Sequence, residues 1–186
     1  MYELDKKELQ YWINRYAETE QPGEKEIEEN LTKKFQQQGF TTQDDLRGLL
    51  KWKFGMMPGR MKRELNLIEQ TPDEKIKETT RKAFQSENDK EKIKLLTSIK
   101  GIGNAVCSVV LTFHNPKKYG VFDIHAGEEL LGKDVKNSQR TKDLITFFEE
   151  LRKISKETGL TCREVEKALF TKNYIESKGN KSDKSY

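Results

Sequence analysis

The chain of 186 residues carries 33% hydrophobic and 35% charged side chains, with 35 Lys and Arg against 31 Asp and Glu for a net charge of +4. Its apolar residues recur periodically and include 9% aromatics, which argues against a disordered chain and predicts one compact domain or two small lobes on a shared core. No window approaches the ~18 consecutive apolar residues of a membrane span, and Met1 is followed by Tyr-Glu-Leu-Asp rather than by a basic start and an apolar stretch, so the expected location is intracellular.

Gly and Pro are scarce and cluster between periodic segments, the pattern of helices joined by short loops. Asp5 caps a first helix with Leu9, Trp12, Ile13 and Tyr16 on one face, ended by Gln21-Pro22-Gly23. A second helix carries Ile27, Leu31 and Phe35 and stops at Gly39. Its acidic start, with Glu18, Glu20, Glu24, Glu26, Glu28 and Glu29 against Lys25 alone, reads as a solvated outer face. Thr41 and Thr42 precede a third helix with Leu46, Leu49 and Leu50. Thr71-Pro72-Asp73-Glu74 predicts a capping box with Pro at the first helical position. Asn88 or Asp89 opens the next helix, with Ile93, Leu96 and Ile99 on one face. After Gly101-Ile102-Gly103 an apolar helix carries Val106, Val109, Val110 and Phe113 until Asn115-Pro116. Asp123 caps a short helix, and the region of Asn137-Ser138 starts a longer one with Leu144, Phe147, Phe148 and Leu151, closed by Gly159. Thr161 and Glu164 form a second capping box ahead of Val165, Ala168 and Leu169. No alternating strand pattern is present, so the predicted fold is all-α, a helical unit over 1–176 followed by a disordered polar tail over 177–186.

Cys107 and Cys162 stand alone in apolar segments and read as core residues, which argues against a disulfide framework or zinc site and excludes a four-cysteine iron–sulfur cluster. Two histidines, His114 and His125, are too few for a zinc site. The informative stretches are two. In the first, near 91–114, a helix runs into Lys100-Gly101-Ile102-Gly103 and out through Asn104-Ala105-Val106. Glycine suits such a turn because it accepts torsions other residues avoid and lets bare backbone approach a phosphate, while the following helix N-terminus favours an anion. A plain helical corner uses the same residues. A dinucleotide fingerprint is rejected, since helix rather than strand precedes the turn and Val106 takes the third glycine position. In the second stretch, Tyr119-Gly120-Val121-Phe122-Asp123-Ile124-His125, Asp123 taken alone is a helix cap.

Together, Lys100 to Ala126, with Ile-Lys-Gly-Ile-Gly, an apolar helix, Pro, Tyr and Phe-Asp-Ile-His, resembles the helix–hairpin–helix DNA glycosylase superfamily of endonuclease III and the adenine and alkyl-base glycosylases. Gly103 and Asp123 stand at the family's spacing between hairpin and essential Asp. Lys51-Trp52-Lys53 and the segment Arg163 to Phe170 look like a short branch of the same superfamily. The resemblance implies a cleft between two helical lobes and a monomer acting on double-stranded DNA with a modified base. It implies excision of that base, with Asp123 as the essential carboxylate and the hairpin residues Gly101, Ile102, Gly103, Asn104 and Ala105 on the DNA backbone. It also implies a Na+ or K+ ion at the backbone carbonyls of Gly101–Gly103, and no other cofactor.

The family's strand-cleaving members carry a Schiff-base Lys where this chain has Ala105. A monofunctional enzyme that leaves an abasic site is therefore expected, unless another lysine such as Lys100 substitutes. Lys51, Lys53, Arg60, Lys62 and Arg63 are candidates to neutralise phosphates, and Trp52 or Met57 to stack or wedge against a base turned out of the duplex. A solvated basic helix end with Trp52 in the core accounts for them equally. Trp52, Tyr119 and His125 are the base-pocket candidates. The rival readings are a DNA-binding protein of the same fold without turnover, and a helical interaction domain in which Asp123 is only a cap.

Overall fold

Short-range capping chemistry sets many helix ends in the computed structural model, which describes residues 5–132, 135 and 140–182, the last four of these by backbone alone. The described residues form ten α-helices and no strand. Asp5 accepts the Glu8 amide at 2.8 Å and opens α1 (Lys6–Asn14), which gives way at Tyr16–Glu18 to a single 3₁₀ turn, well before Gln21. In α2 (Glu24–Gln38) and α9 (Thr141–Thr158) the chain leaves through Gly39 at φ +68° and Gly159 at φ +74°, the left-handed stop that glycine makes without strain. Reciprocal boxes start α3 (Gln43–Phe54), from Thr42 and Asp45, and α10 (Cys162–Ser182), from Thr161 and Glu164. Asn88 caps α6 (Asp89–Thr97).

Three expectations are corrected. The box at Thr71 does not form: Pro72 occupies the cap position of α5 (Asp73–Gln85), and Asp73 instead accepts the Gln43 amide of α3 at 2.6 Å. The Glu74 carboxylate that the box would have used pairs with Lys77 at 2.7 Å. The polar segment from Ser177 is helical through Ser182, because extending a helix already anchored by packing carries no nucleation cost; residues 183–186 lie outside the described residues. The predicted start at Asn137-Ser138 also lies outside them, and α9 begins at Thr141 with Arg140 as its cap.

The core is organised around α7 (Asn104–His114), whose residues Val106 to Phe113 are all buried. A helix apolar on every side needs neighbours on every side, and α2, α3, α6 and α9 supply them. Each fully buried Val, Leu or Phe contributes roughly 1.5–3 kcal/mol relative to exposure. Ser108 and Thr112 are tolerated in that run because their hydroxyls donate to the carbonyls of Ala105 and Ser108. The last helix, α10, packs on α1, on α8 (Ile124–Leu131) and on α9, so the two ends of the chain meet. α4 (Pro58–Ile68) packs on α3. Cys107 and Cys162 are free and buried. No helix among the described residues is long and apolar enough to cross a membrane.

Candidate active site

The segment that carries Asp123 is fastened on both sides before it reaches that residue. Pro116 ends α7, and its carbonyl accepts the Arg163 amide of α10 at 3.0 Å. Gly120 then passes so close to α9 and α10 that a Cβ would stand 2.7 Å from both Leu151 Cδ1 and Glu166 Cβ, so only glycine fits. Val121 donates its amide to Glu166 Oε2 at 3.2 Å, and Phe122 donates to Ser108 Oγ of α7 at 2.9 Å. Asp123 follows in an extended conformation, and its Oδ1 caps α8 by accepting the Ala126 amide at 2.8 Å. No donor among the described residues reaches Oδ2.

Asp123 lines a cavity of about 120 Å³ together with Tyr16, Trp52, Lys53, Arg163, Glu166 and Phe170. Pockets for drug-sized ligands run from about 300 Å³, so this space suits one small flat group. Behind it lies a buried charge network. Arg163 donates to both oxygens of Glu28, at 2.9 and 2.7 Å, and to Glu166 and the Tyr16 hydroxyl, while Lys167 stands 3.2 Å from Glu28. Its guanidinium also lies over the Trp52 and Tyr16 rings, 5.5 Å from each centroid. Burial pushes the Glu28 carboxyl up, but Arg163 and Lys167 outweigh it and hold the group down at about 2. Glu28 is thus not part of a solvated acidic face: its partner lies 135 residues away in the sequence. For Glu166 burial prevails over Arg163, with the Asp123 charge adding to it, and its carboxyl is raised.

Of the residues singled out by sequence, Trp52, Lys53 and Asp123 are brought together at the cavity. Trp52 does both things considered for it, meeting the core edge-on at Phe113 with 5.0 Å between centroids and presenting surface to the cavity. Tyr119 is not a pocket residue: it is 1% exposed, its ring packs on Phe148, and its hydroxyl donates to Asp89 at 2.7 Å. His125 is not one either. Its Nδ1 lies 2.8 Å from Asn173 Oδ1, with Phe170 and Tyr174 against its ring.

The basic residues divide. Lys51, Lys62 and Arg63 are exposed, Arg63 beside Glu64 at 2.6 Å, and Arg60 lies over the Phe54 ring at 4.3 Å. Between α3 and α4 the exposed Met56 and Met57 form the turn. The hairpin after α6 packs on α4. Gly101 has φ +85°, and a Cβ there would lie 2.8 Å from the Glu64 carbonyl and 3.1 Å from Leu67 Cβ. Ile102 is buried beneath the turn, and Gly103 is exposed with open space where its Cβ would be. No side chain caps α7 where Asn104 and Ala105 begin it. Sequence reading missed Tyr16, Arg163, Glu166 and Phe170 as cavity walls, because nothing local marks residues that meet across more than a hundred positions. No protein family, no curated protein and no solved structure matches the chain.

Proposed function

We propose that the chain is a DNA N-glycosylase, which binds duplex DNA, turns a modified base into the cavity and hydrolyses its N-glycosidic bond with Asp123 as the essential carboxylate. The observation that carries this reading is Asp123 itself: one oxygen caps α8, and the other has no donor among the described residues at the edge of a cavity walled by Trp52, Tyr16 and Phe170. Aromatic walls suit a flat base, since stacking on them is favourable for any base. Breaking the C1′–N bond leaves positive charge on the sugar, and an anion already in place stabilises it without reorganisation. Asp123 would also take a proton from the water that attacks C1′. The exposed Gly103 amide, the uncapped start of α7 and the cations Lys51, Arg60, Lys62 and Arg63 fit the phosphate backbone.

A Na+ or K+ ion at the hairpin would be held by backbone carbonyls of Gly101–Gly103 and would place positive charge beside a phosphate. Ala105 gives the hairpin no amine, and it equally favours the second reading, a DNA-binding protein of this shape without turnover. The deciding experiment is base release from duplexes carrying uracil, alkylated, oxidised or deaminated bases, scored as alkali-sensitive sites. Wild type should release at least one base, and Asp123→Asn, which keeps the cap, should slow release by about 100-fold or more while duplex affinity holds. Equal activity of Asp123→Asn would end the proposal, and salt-dependent binding with no release by wild type would favour the second reading.

A further inference from the structure

Two lysines, the buried Lys92 and the half-buried Lys53, are placed for different work. Lys92 is buried and donates to the carbonyls of Ala83 at 2.9 Å and Phe84 at 3.2 Å, which finishes α5. Lys53, near the end of α3, has no hydrogen-bond or ion-pair partner among the described residues. Its side chain lines the same small cavity as Asp123, and no carboxylate among the described residues lies within ion-pair distance of it. A lysine that stabilised the fold by pairing would sit as Lys92 does. A lysine kept for a ligand sits as Lys53 does.

We propose that Lys53 is an amine nucleophile that forms an imine with the C1′ aldehyde of an abasic deoxyribose held in this cavity. The proposal rests on the base-excision reading for the identity of the carbonyl. The Nζ lone pair forms the N–C1′ bond while the carbonyl π pair takes up a proton, giving a carbinolamine. The proton shed by nitrogen passes to Asp123, which returns it to the carbinolamine hydroxyl, so that water leaves, the iminium forms and Asp123 is ionised again to accept the C2′ proton. That cation acidifies the C2′–H bond. When this proton is removed, its electron pair forms the C2′–C3′ double bond and the C3′–O bond breaks, so that the phosphate departs with its pair. Water then hydrolyses the conjugated imine and frees Lys53. No oxidant or reductant is needed. The strand cleavage that Ala105 denies to the hairpin is supplied from α3 instead.

The surroundings favour the free amine. An ordinary lysine at pH 7 is deprotonated in about 1 molecule in 2,500, and each unit of lowering multiplies that fraction tenfold. Burial lowers Lys53, Arg163 and Arg60 add to the effect, and Asp123 and Glu166 oppose it. Tyr16 and Glu24 also border the cavity, and Glu24 is occupied by the Gln21 amide at 2.9 Å.

The test uses the full chain and a duplex with one preformed abasic site, so no base has to be released. With cyanoborohydride present, wild type should become covalently joined to the DNA, and peptide mass mapping should place the reduced link on Lys53. Lys53→Arg keeps the positive charge but forms no stable imine, and trapping should fall at least 50-fold. Lys53→Gln serves as a second variant, each being checked for its helical melting transition. Mapping on wild type decides the matter even if both variants unfold. Absence of trapping, a link mapped to Lys51, Lys100 or another amine, or undiminished trapping by folded Lys53→Arg would each overturn the proposal. None of these results touches base release, which is scored separately on the modified duplexes.

Discussion

Replacing Arg163 by Met should destabilise the protein by about 3–5 kcal/mol at pH 7, the usual cost of removing one partner from a buried charge network. The scale can be worked from Glu28. Its carboxyl is held at about 2 against an ordinary 4.5, and at ~1.4 kcal/mol per unit this corresponds to roughly 3 kcal/mol of stability. Lys167 remains beside Glu28 after the substitution, but Glu166 loses its ion-pair partner and keeps the Val121 amide as its hydrogen-bond donor among the described residues. Met fills much of the arginine stem, so the loss reports charge rather than a cavity. Urea unfolding at pH 7 measures it by linear extrapolation. Glu28→Gln and the double variant complete a cycle whose coupling energy should exceed ~1.5 kcal/mol. A loss below ~1 kcal/mol for Arg163→Met, or no coupling, would refute the assignment of the network as a fold determinant.

The pH dependence follows from the same groups with definite signs. Glu28 is lowered in the folded state, so its contribution is complete above about 4.5 and disappears as pH falls toward about 2. Wild type should therefore lose more stability across that window than Glu28→Gln does. Glu166 is raised, so its ionised form opposes folding: its favourable contribution is present below the ordinary carboxylate value and lost as pH rises through its raised one. Near neutrality it offsets part of what Glu28 provides.

Two further predictions bear on the hairpin and on the corrected pocket. Gly101→Ala should lower stability by about 2–3 kcal/mol, from a left-handed backbone and overlap with the Glu64 carbonyl, and so lower Tm by roughly 5–10 °C. Gly103→Ala, with ordinary φ and open space, should change Tm little and instead weaken duplex binding. Equal melting of the two variants would contradict the packing of the hairpin on α4. Tyr119→Phe should cost about 1–2 kcal/mol in urea unfolding through the lost bond to Asp89 and leave base release unchanged; a fall in release by the folded variant would return Tyr119 to the site.

What the sequence makes legible is what acts over one or two helical turns. The caps at Asp5, Thr42, Asn88, Asp123 and Thr161 and the exits at Gly39 and Gly159 stand where side-chain reach predicts them. Two of the failures share one cause, a distant partner. Tyr119 is drawn to Asp89, 30 residues back, and Glu28 to Arg163, 135 residues on. Glu28 carries no local mark that separates it from the acids around it, which do face solvent or lie near the surface. The need for glycine at 120 is likewise set by the approach of α9 and α10, not by torsion.

The charges around the cavity can be resolved by asking which already have fixed partners. Arg163 is divided between Glu28 and Glu166, Glu166 also holds the Val121 amide, and Glu24 holds the Gln21 amide. The Tyr16 hydroxyl is bonded to Arg163. Among the described residues, Lys53 and the second oxygens of Asp123 and Glu24 are then the charged groups of the lining left to act on something else. Lys53 is a cation with a reactive lone pair when deprotonated, and Asp123 an anion able to take a proton while its first oxygen keeps the cap of α8. Because Glu166 links Arg163 to the Val121 amide just before Asp123, the network that anchors α10 also sets where that carboxylate points. Loss of Arg163 should therefore reduce turnover even under conditions where the fold survives.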